Sequence, residues 1–292
     1  MDPIKLSAGA LGAAVIVGSG LGINAFVNSL EPVWYSLSKE SDFSTGYTDK
    51  VGKDYGNYLV GAYGDEGENK DRNKWWWDWS YKNYQYDLQN SPNDLSQEFF
   101  HDGSSKVSSA YKSSSEKTGD NIFPKALNEV CDGIYKGKSK TDTDPDNNVI
   151  SEQSKLSRNL WKYCSHLRTR PVLISGDVYD NNTFGKKTDH HNKAVATKDY
   201  KNTDSNDEFW RLRNDEFFGS KDEDGVGKKA TDDGIFKTLY GKKKAGTITS
   251  EDTVKKACEK AYERKESEKD TVPKINDEYI KKFCYLVPDS NN

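Results

Sequence analysis

Several groups of side chains in this chain have the residue types for chemistry, and their spacing decides how far each can go. Asp142, Asp144 and Asp146 alternate like the first ligands of a calcium loop, with Val149 at the customary apolar eighth place. The pattern then breaks: Asn147 stands where the loop needs Gly for its sharp turn, and Gln153 where it needs a bidentate Glu. Asp189-His190-His191 has metal-binding residue types, but adjacent histidines point apart on a regular element and no third ligand is spaced nearby. Gly225-Val226-Gly227-Lys228-Lys229 lacks both the leading Gly and the Ser/Thr of a phosphate-binding loop. Carboxylates are abundant enough for acid–base hydrolysis, yet in a chain with 31% charged residues no pair stands out. His101 and His166 belong to no pattern. The sequence therefore predicts no catalytic residues, no metal and no cofactor, and a binding or display protein rather than an enzyme.

Two groups remain. Trp75-Trp76-Trp77, followed by Trp79, Tyr81, Tyr84 and Tyr86, would coat every face of a helix, so one small core cannot bury them all. Trp75, Trp76 and Trp77 are the candidate surface-recognition residues, because exposed aromatic rings stack on sugars or partner surfaces. The four cysteines, Cys131, Cys164, Cys258 and Cys284, form the other group. Four cysteines formally allow three pairings, and an internal duplication selects Cys131 with Cys164 and Cys258 with Cys284.

That duplication is read from an ordered set of scarce residues. The first copy runs Trp79-Ser80-Tyr81-Lys82-Asn83, Glu98-Phe99-Phe100, Ala110-Tyr111, Cys131 with Tyr135, and Tyr163-Cys164. The second runs Trp210-Arg211-Leu212-Arg213-Asn214, Glu216-Phe217-Phe218, Leu239-Tyr240, Cys258 with Tyr262, and Phe283-Cys284. A repeated order of rare types marks folding units, with uneven gaps as loops.

Helical periodicity places the cysteines. Phe123, Leu127, Val130, Cys131, Ile134 and Tyr135 make one apolar stripe, with Pro124 suited to a first turn; Leu156, Leu160, Tyr163, Cys164 and Leu167 make another. Val254, Ala257, Cys258, Ala261 and Tyr262 make a third behind a Thr249/Asp252 capping box, and Tyr279, Ile280, Phe283 and Cys284 a shorter fourth. Facing helices joined by a disulfide satisfy all four. Stretches 136–148, 177–207 and 219–234 lack periodicity and read as loops or linkers, while 170–175 and 58–63 carry strand character.

Residues 6–30 contain no charged side chain, and 6–27 are dominated by Ala, Gly, Val, Ile and Leu, long enough to cross a bilayer core of about 30 Å as a helix. A retained anchor is favoured over a cleaved export signal, because the apolar stretch exceeds the usual signal length of about 7–15 residues. Ala10, Ala14, Gly18 and Gly22 recur every four residues, a ridge along which a second helix could approach closely and the chain self-associate. Trp34 and Tyr35 suit the interfacial aromatic belt. Lys5 and the N-terminal amine on the short side, against Glu31, Lys39, Glu40 and Asp42 on the other, weakly favour the N-terminus inside and the bulk of the chain outside.

The 292 residues hold 43 basic and 47 acidic side chains, a net charge of −4 that argues against a nucleic-acid footprint. Leu, Ile, Val and Phe make up only about a fifth of the chain, whereas aromatics reach 12%, so aromatic rings must supply much of each core. The cluster Lys242-Lys243-Lys244 reads as a solvated loop.

The apolar N-terminus, Ala126-Leu127-Asn128-Glu129-Val130-Cys131, Lys162-Tyr163-Cys164-Ser165, Arg170-Pro171-Val172-Leu173-Ile174-Ser175 and Lys281-Lys282-Phe283-Cys284 resemble the large paralogous families of uncharacterised proteins in haemotropic mycoplasmas. The resemblance implies a membrane-associated, surface-displayed protein concerned with antigenic variation or contact with red cells, and brings no catalytic residues. In a wall-less organism the region past the anchor meets host plasma, where cysteines oxidise.

The expected architecture is mainly α with a minor β component: a membrane anchor (1–31), a first repeat unit (32–176), a linker (177–206) and a second repeat unit (207–292). The expected role is single-pass display at the cell membrane with the C-terminal region extracellular, touching a host surface protein or glycan. A decoy antigen without ligand, and a secreted carboxylate-dependent hydrolase, are the rival readings.

Overall fold

The four cysteine-bearing stripes turn inward and set the core. The computed structural model describes residues 31–64, 70–119, 122–145, 150–175, 177–198, 206–220 and 223–288. Among these, the chain forms α1 (Phe43–Gly46), α2 (Val51–Tyr55), α3 (Lys74–Asn90), α4 (Leu127–Gly137), α5 (Lys140–Thr143), α6 (Glu152–Cys164), α7 (Asp207–Phe218), α8 (Ile235–Lys244), α9 (Val254–Glu263) and α10 (Asp277–Phe283). Strand structure is slight: β1 (Phe100–His101) pairs antiparallel with β2 (Ser104–Ser105), and β3 (Val107–Ser109) runs parallel to β4 (Lys125–Ala126). The fold is mainly helical, as the periodicity predicts.

Both disulfides join the expected partners. Cys131 on α4 bonds Cys164 at the end of α6, with Cα atoms 5.7 Å apart, and Cys258 on α9 bonds Cys284 just after α10, at 5.9 Å. All four residues are fully buried. Leu127, Val130, Ile134 and Tyr135 are buried with Cys131 on α4, and Val254, Ala257, Ala261 and Tyr262 with Cys258 on α9.

A set of bonds around α3, α4 and α6 recurs around α7, α9 and α10. Asn73, just before α3, accepts the Tyr35 N–H on Oδ1 at 2.8 Å and donates from Nδ2 to the carbonyls of Tyr35 (2.9 Å) and Gly61 (2.8 Å). Asn206, just before α7, accepts the Val172 N–H at 2.8 Å and donates to the carbonyls of Val172 and Ala196, both at 3.0 Å. One turn further on, Trp77 Nε1 donates to Gly61 O (3.2 Å) and Trp210 Nε1 to Ala196 O (3.0 Å). Tyr135 donates its hydroxyl hydrogen to the Val60 or Cys164 carbonyl, and Tyr262 to that of Val195 or Cys284. Edge-on ring pairs match too: Tyr84 with Tyr163 at 5.6 Å, Phe217 with Phe283 at 5.0 Å. A Cβ on Gly52 would stand 2.5 Å from the Tyr47 ring, and one on Gly185 would stand 2.5 Å from the Tyr179 ring, so both positions need a residue without a side chain.

These bonds correct the alignment of landmarks. The residue that bonds as Trp210 does is Trp77, two positions before Trp79. An Asn and a Trp four residues apart lie on one helix face, and both therefore reach the same carbonyl.

The described part of the stretch expected as a linker, residues 177–198, is packed instead. Tyr179, Phe184, Ala194, Val195 and Ala196 are buried, Leu173 bridges Val195, and Ala194 bridges Tyr285. Phe184 N–H donates to Arg264 O at 3.0 Å. The strand character expected at 170–175 and 58–63 takes the form of these isolated bridges, with Leu59 opposite Ser165 and Ser36 opposite Val60.

Two smaller expectations shift. Helix α4 starts at Leu127, so Pro124 lies outside its first turn and Phe123 is half exposed. Thr253, not Thr249, caps α9, accepting the Lys256 N–H at 3.2 Å; Thr249 and Asp252 close the preceding turn. Lys242 and Lys244 pair with Asp252 and Asp224, and Lys243 donates to the Ser220 carbonyl at 2.9 Å.

Arg213 on α7 ties the two halves together. It is 1% exposed and donates to Tyr58 Oη (2.6 Å), Tyr285 O (3.0 Å) and Glu216 (2.8 Å). A buried guanidinium needs such partners, because leaving it unpaired would cost several kcal/mol.

No helix among the described residues is long and apolar enough to cross a membrane. The anchor read at 6–30, with Ala10, Ala14, Gly18 and Gly22, lies outside the described residues.

Candidate functional site

The tryptophan block opens α3, and helix geometry divides it. Trp76, Trp77, Ser80, Asn83 and Tyr84 are buried at i, i+1, i+4, i+7 and i+8, one inward stripe. Trp75 points the other way and is 76% exposed. Trp76 and Trp77 are both 0% exposed, so the expectation of three surface-recognition rings is corrected to one. Their indole N–H groups are engaged as well, Trp76 with Glu31 Oε1 at 3.0 Å and Trp77 with the Gly61 carbonyl.

Near Trp75, which lies in the first turn of α3, the structure places two cationic groups that the sequence did not single out, Arg72 and Arg168. The chain entering from residue 31 runs beside this turn: Glu31 is bonded to Trp76 and the Tyr35 backbone to Asn73, while Val33 between them is 74% exposed. The Arg72 guanidinium lies 4.8 Å over the Tyr35 ring, and that of Arg168 lies 4.3 Å over Trp79. Trp34 stacks flat on His166 at 3.7 Å, so Trp34 and Tyr35, expected as a membrane belt, are both partly covered.

Burial sets the electrostatics here. Desolvation raises the Glu31 carboxyl above its ordinary range, against the opposing pull of its Trp76 bond and of Arg168. His166 is driven down to about 3, first by burial and then by Arg211. Several nitrogens of this region have no hydrogen-bond partner: Arg72 Nε and Nη2, Trp79 Nε1, His166 Nε2 and Arg168 Nε. A sequence signal was available in Lys70, Arg72 and Lys74 preceding the tryptophans, the mixed basic and aromatic composition of an interfacial segment.

The metal candidates are dispersed. Asp142 accepts the Ser139 N–H at 2.7 Å, whereas Asp144 receives Arg170 Nη2 at 2.7 Å; Asp146 lies outside the described residues. His190 uses both ring nitrogens, Nδ1 with Tyr285 Oη (2.9 Å) and Nε2 with Asp277 (3.1 Å). That contact leads the interactions lowering Asp277 to about 2, with Lys187 adding to it. No group of three or more His, Cys, Asp or Glu side chains among the described residues is placed to hold a metal.

A shallow cleft of about 260 Å³ beside α5 and α6 gathers Glu98, Asp142 and Glu152. Each carboxylate is engaged: Glu98 with Lys138 at 2.6 Å, Asp142 with Ser139, and Glu152 with the Gln97 N–H at 3.1 Å. The first turn of α3 and the segment beside it are where exposed large apolar side chains, Trp75 and Val33, lie next to basic and aromatic groups.

No family model matches the chain, and neither a curated protein nor a solved structure matches it.

Proposed function

We propose that this chain is a single-pass, membrane-anchored protein whose body is displayed outside the cell, in keeping with its resemblance to the paralogous families of haemotropic mycoplasmas. Its role is contact with, or variation before, a host surface. The reading is carried by one observation: both cysteine pairs are closed within a body that follows an uncharged run of residues 6–30. Disulfides persist in oxidising surroundings and are rare in a reducing cytosol.

The body consists of two copies of one unit, the second starting near Pro171 rather than at residue 207. The recurring Asn73/Asn206 and Trp77/Trp210 bonds support this division, as does the packing of 177–198 against α9 and α10. In each copy the disulfide closes a loop, of sequence separation 33 and 26, and stabilises by about 3.5 kcal/mol on the chain-entropy model. Such staples let surface loops diverge while the core persists.

Labelling intact cells with a membrane-impermeant amine reagent tests the topology. Lysines after residue 31 should react before lysis; reaction only after lysis would place the body inside. Binding to red-cell ghosts then separates an adhesin, which binds saturably, from a displayed antigen without ligand.

A further inference from the structure

The position of Trp75 relative to the anchor gives the exposed ring an occupant. The uncharged stretch ends at Leu30, and the next residue, Glu31, is already fixed to the body through Trp76 Nε1 at 3.0 Å. Asn73 holds both the N–H and the carbonyl of Tyr35, so residues 31–35 are clamped along the first turn of α3. An extended chain spans at most ~3.6 Å per residue, so a single residue leaves this turn within roughly one helix diameter of the end of the apolar stretch.

Resting on the anchored, single-pass reading above, we propose that the first turn of α3 docks on the bilayer that holds the chain's own anchor. Trp75 and Val33 enter the headgroup layer, with Lys70 and Lys74 at the level of the phosphates. Trp75 and Val33, 76% and 74% exposed, are the apolar groups of this turn and its flanking segment that the body leaves uncovered. An amphipathic indole is favoured at a membrane interface, where its ring leaves water and its N–H stays hydrated. The basic residues Lys70, Arg72 and Lys74 are offset in sequence by Asp65, Glu66 and Glu68, so the docking is apolar and does not require anionic lipid.

The test reconstitutes the full chain into phosphatidylcholine vesicles, with and without acyl-chain-brominated phosphatidylcholine, and compares wild type with Trp75→Phe and Trp34→Phe. Flotation is scored first. Failure to co-float overturns the anchor and the docking together. Given flotation, bromine should remove about one-seventh of wild-type emission, Trp75 being one of seven tryptophans, and that loss should vanish in Trp75→Phe but persist in Trp34→Phe. A floating chain whose Trp75 is untouched by bromine yet quenched by aqueous acrylamide overturns the docking and leaves the anchor standing. Shielding of Trp75 from both quenchers that disappears on dilution in lipid would assign the patch to a second copy and likewise overturn the bilayer contact.

Discussion

Replacing Asn206 by Ala removes three hydrogen bonds from one buried side chain: one accepted from Val172 N–H and two donated, to Val172 O and Ala196 O. Two of the three backbone groups keep other partners, since Ala196 N–H donates to Val172 O at 2.9 Å and Trp210 Nε1 donates to Ala196 O. Only the Val172 N–H is left unpaired, and Val172 is half-buried, so water reaches it. Neither Asn206 nor Asn73 makes a side-chain capping bond to its helix, so no cap is lost. At about 1 kcal/mol per net hydrogen bond, the variant should lose about 3 kcal/mol. Asn73→Ala deletes the matching bonds to Tyr35 and Gly61, which retain Gly61 N–H and Trp77 Nε1 as partners, and should cost the same. Urea denaturation followed by tryptophan emission reads this as a fall in midpoint of roughly 1 M or more for each variant. A loss of about 3 kcal/mol at one site and under about 1 kcal/mol at the other would refute the equivalence of the two constellations.

The remaining predictions concern the staples, the tryptophans and pH. Paired Cys131→Ala/Cys164→Ala and Cys258→Ala/Cys284→Ala variants should each lose about 3.5 kcal/mol in denaturant titrations, and dithiothreitol, which opens both bridges of the wild type, should cost about 7 kcal/mol. Trp75→Ala should change stability by no more than about 0.5 kcal/mol, whereas Trp77→Ala should cost about 3–5 kcal/mol; equal effects would contradict their opposite placement. His166, held neutral with a folded pKa of about 3 against 6.5 unfolded, contributes stability that is full above pH 6.5 and declines as pH falls. Between pH 7 and 5 that decline should be roughly 2 kcal/mol, and His166→Phe, which keeps a ring against Trp34, should remove it. Glu31, raised by burial, runs the opposite way and gains as pH falls through its raised value.

The helix stripes were legible because they rest on short-range periodicity, and the cysteine pairing because the repeated order of landmarks selects one of three connectivities. Val254, Ala257, Cys258, Ala261 and Tyr262 announce one buried face whatever the rest of the chain does. The segment 177–198 was not legible, since its order comes from single bridges such as Leu173 with Val195, too short to leave an alternating pattern. The Trp79 alignment failed for a similar reason: it matched neighbouring letters, whereas the recurring geometry is the Asn-to-Trp interval of four residues. The candidate site was half legible. Composition flagged the tryptophan block, but a three-residue run spans most of a helical turn, and only the packing of α3 reveals that Trp75 alone faces outward.

Two separately stapled units on the oxidising side of a membrane would carry their disulfides into any fragment released from the cell surface. Non-reducing peptide mapping of fragments shaved by protease from intact cells tests this arrangement most directly. Linked peptides joining Cys131 to Cys164 and Cys258 to Cys284 are expected in the shaved fraction. Free thiols in that fraction, a link from one half to the other, or release of these peptides only after lysis would contradict it.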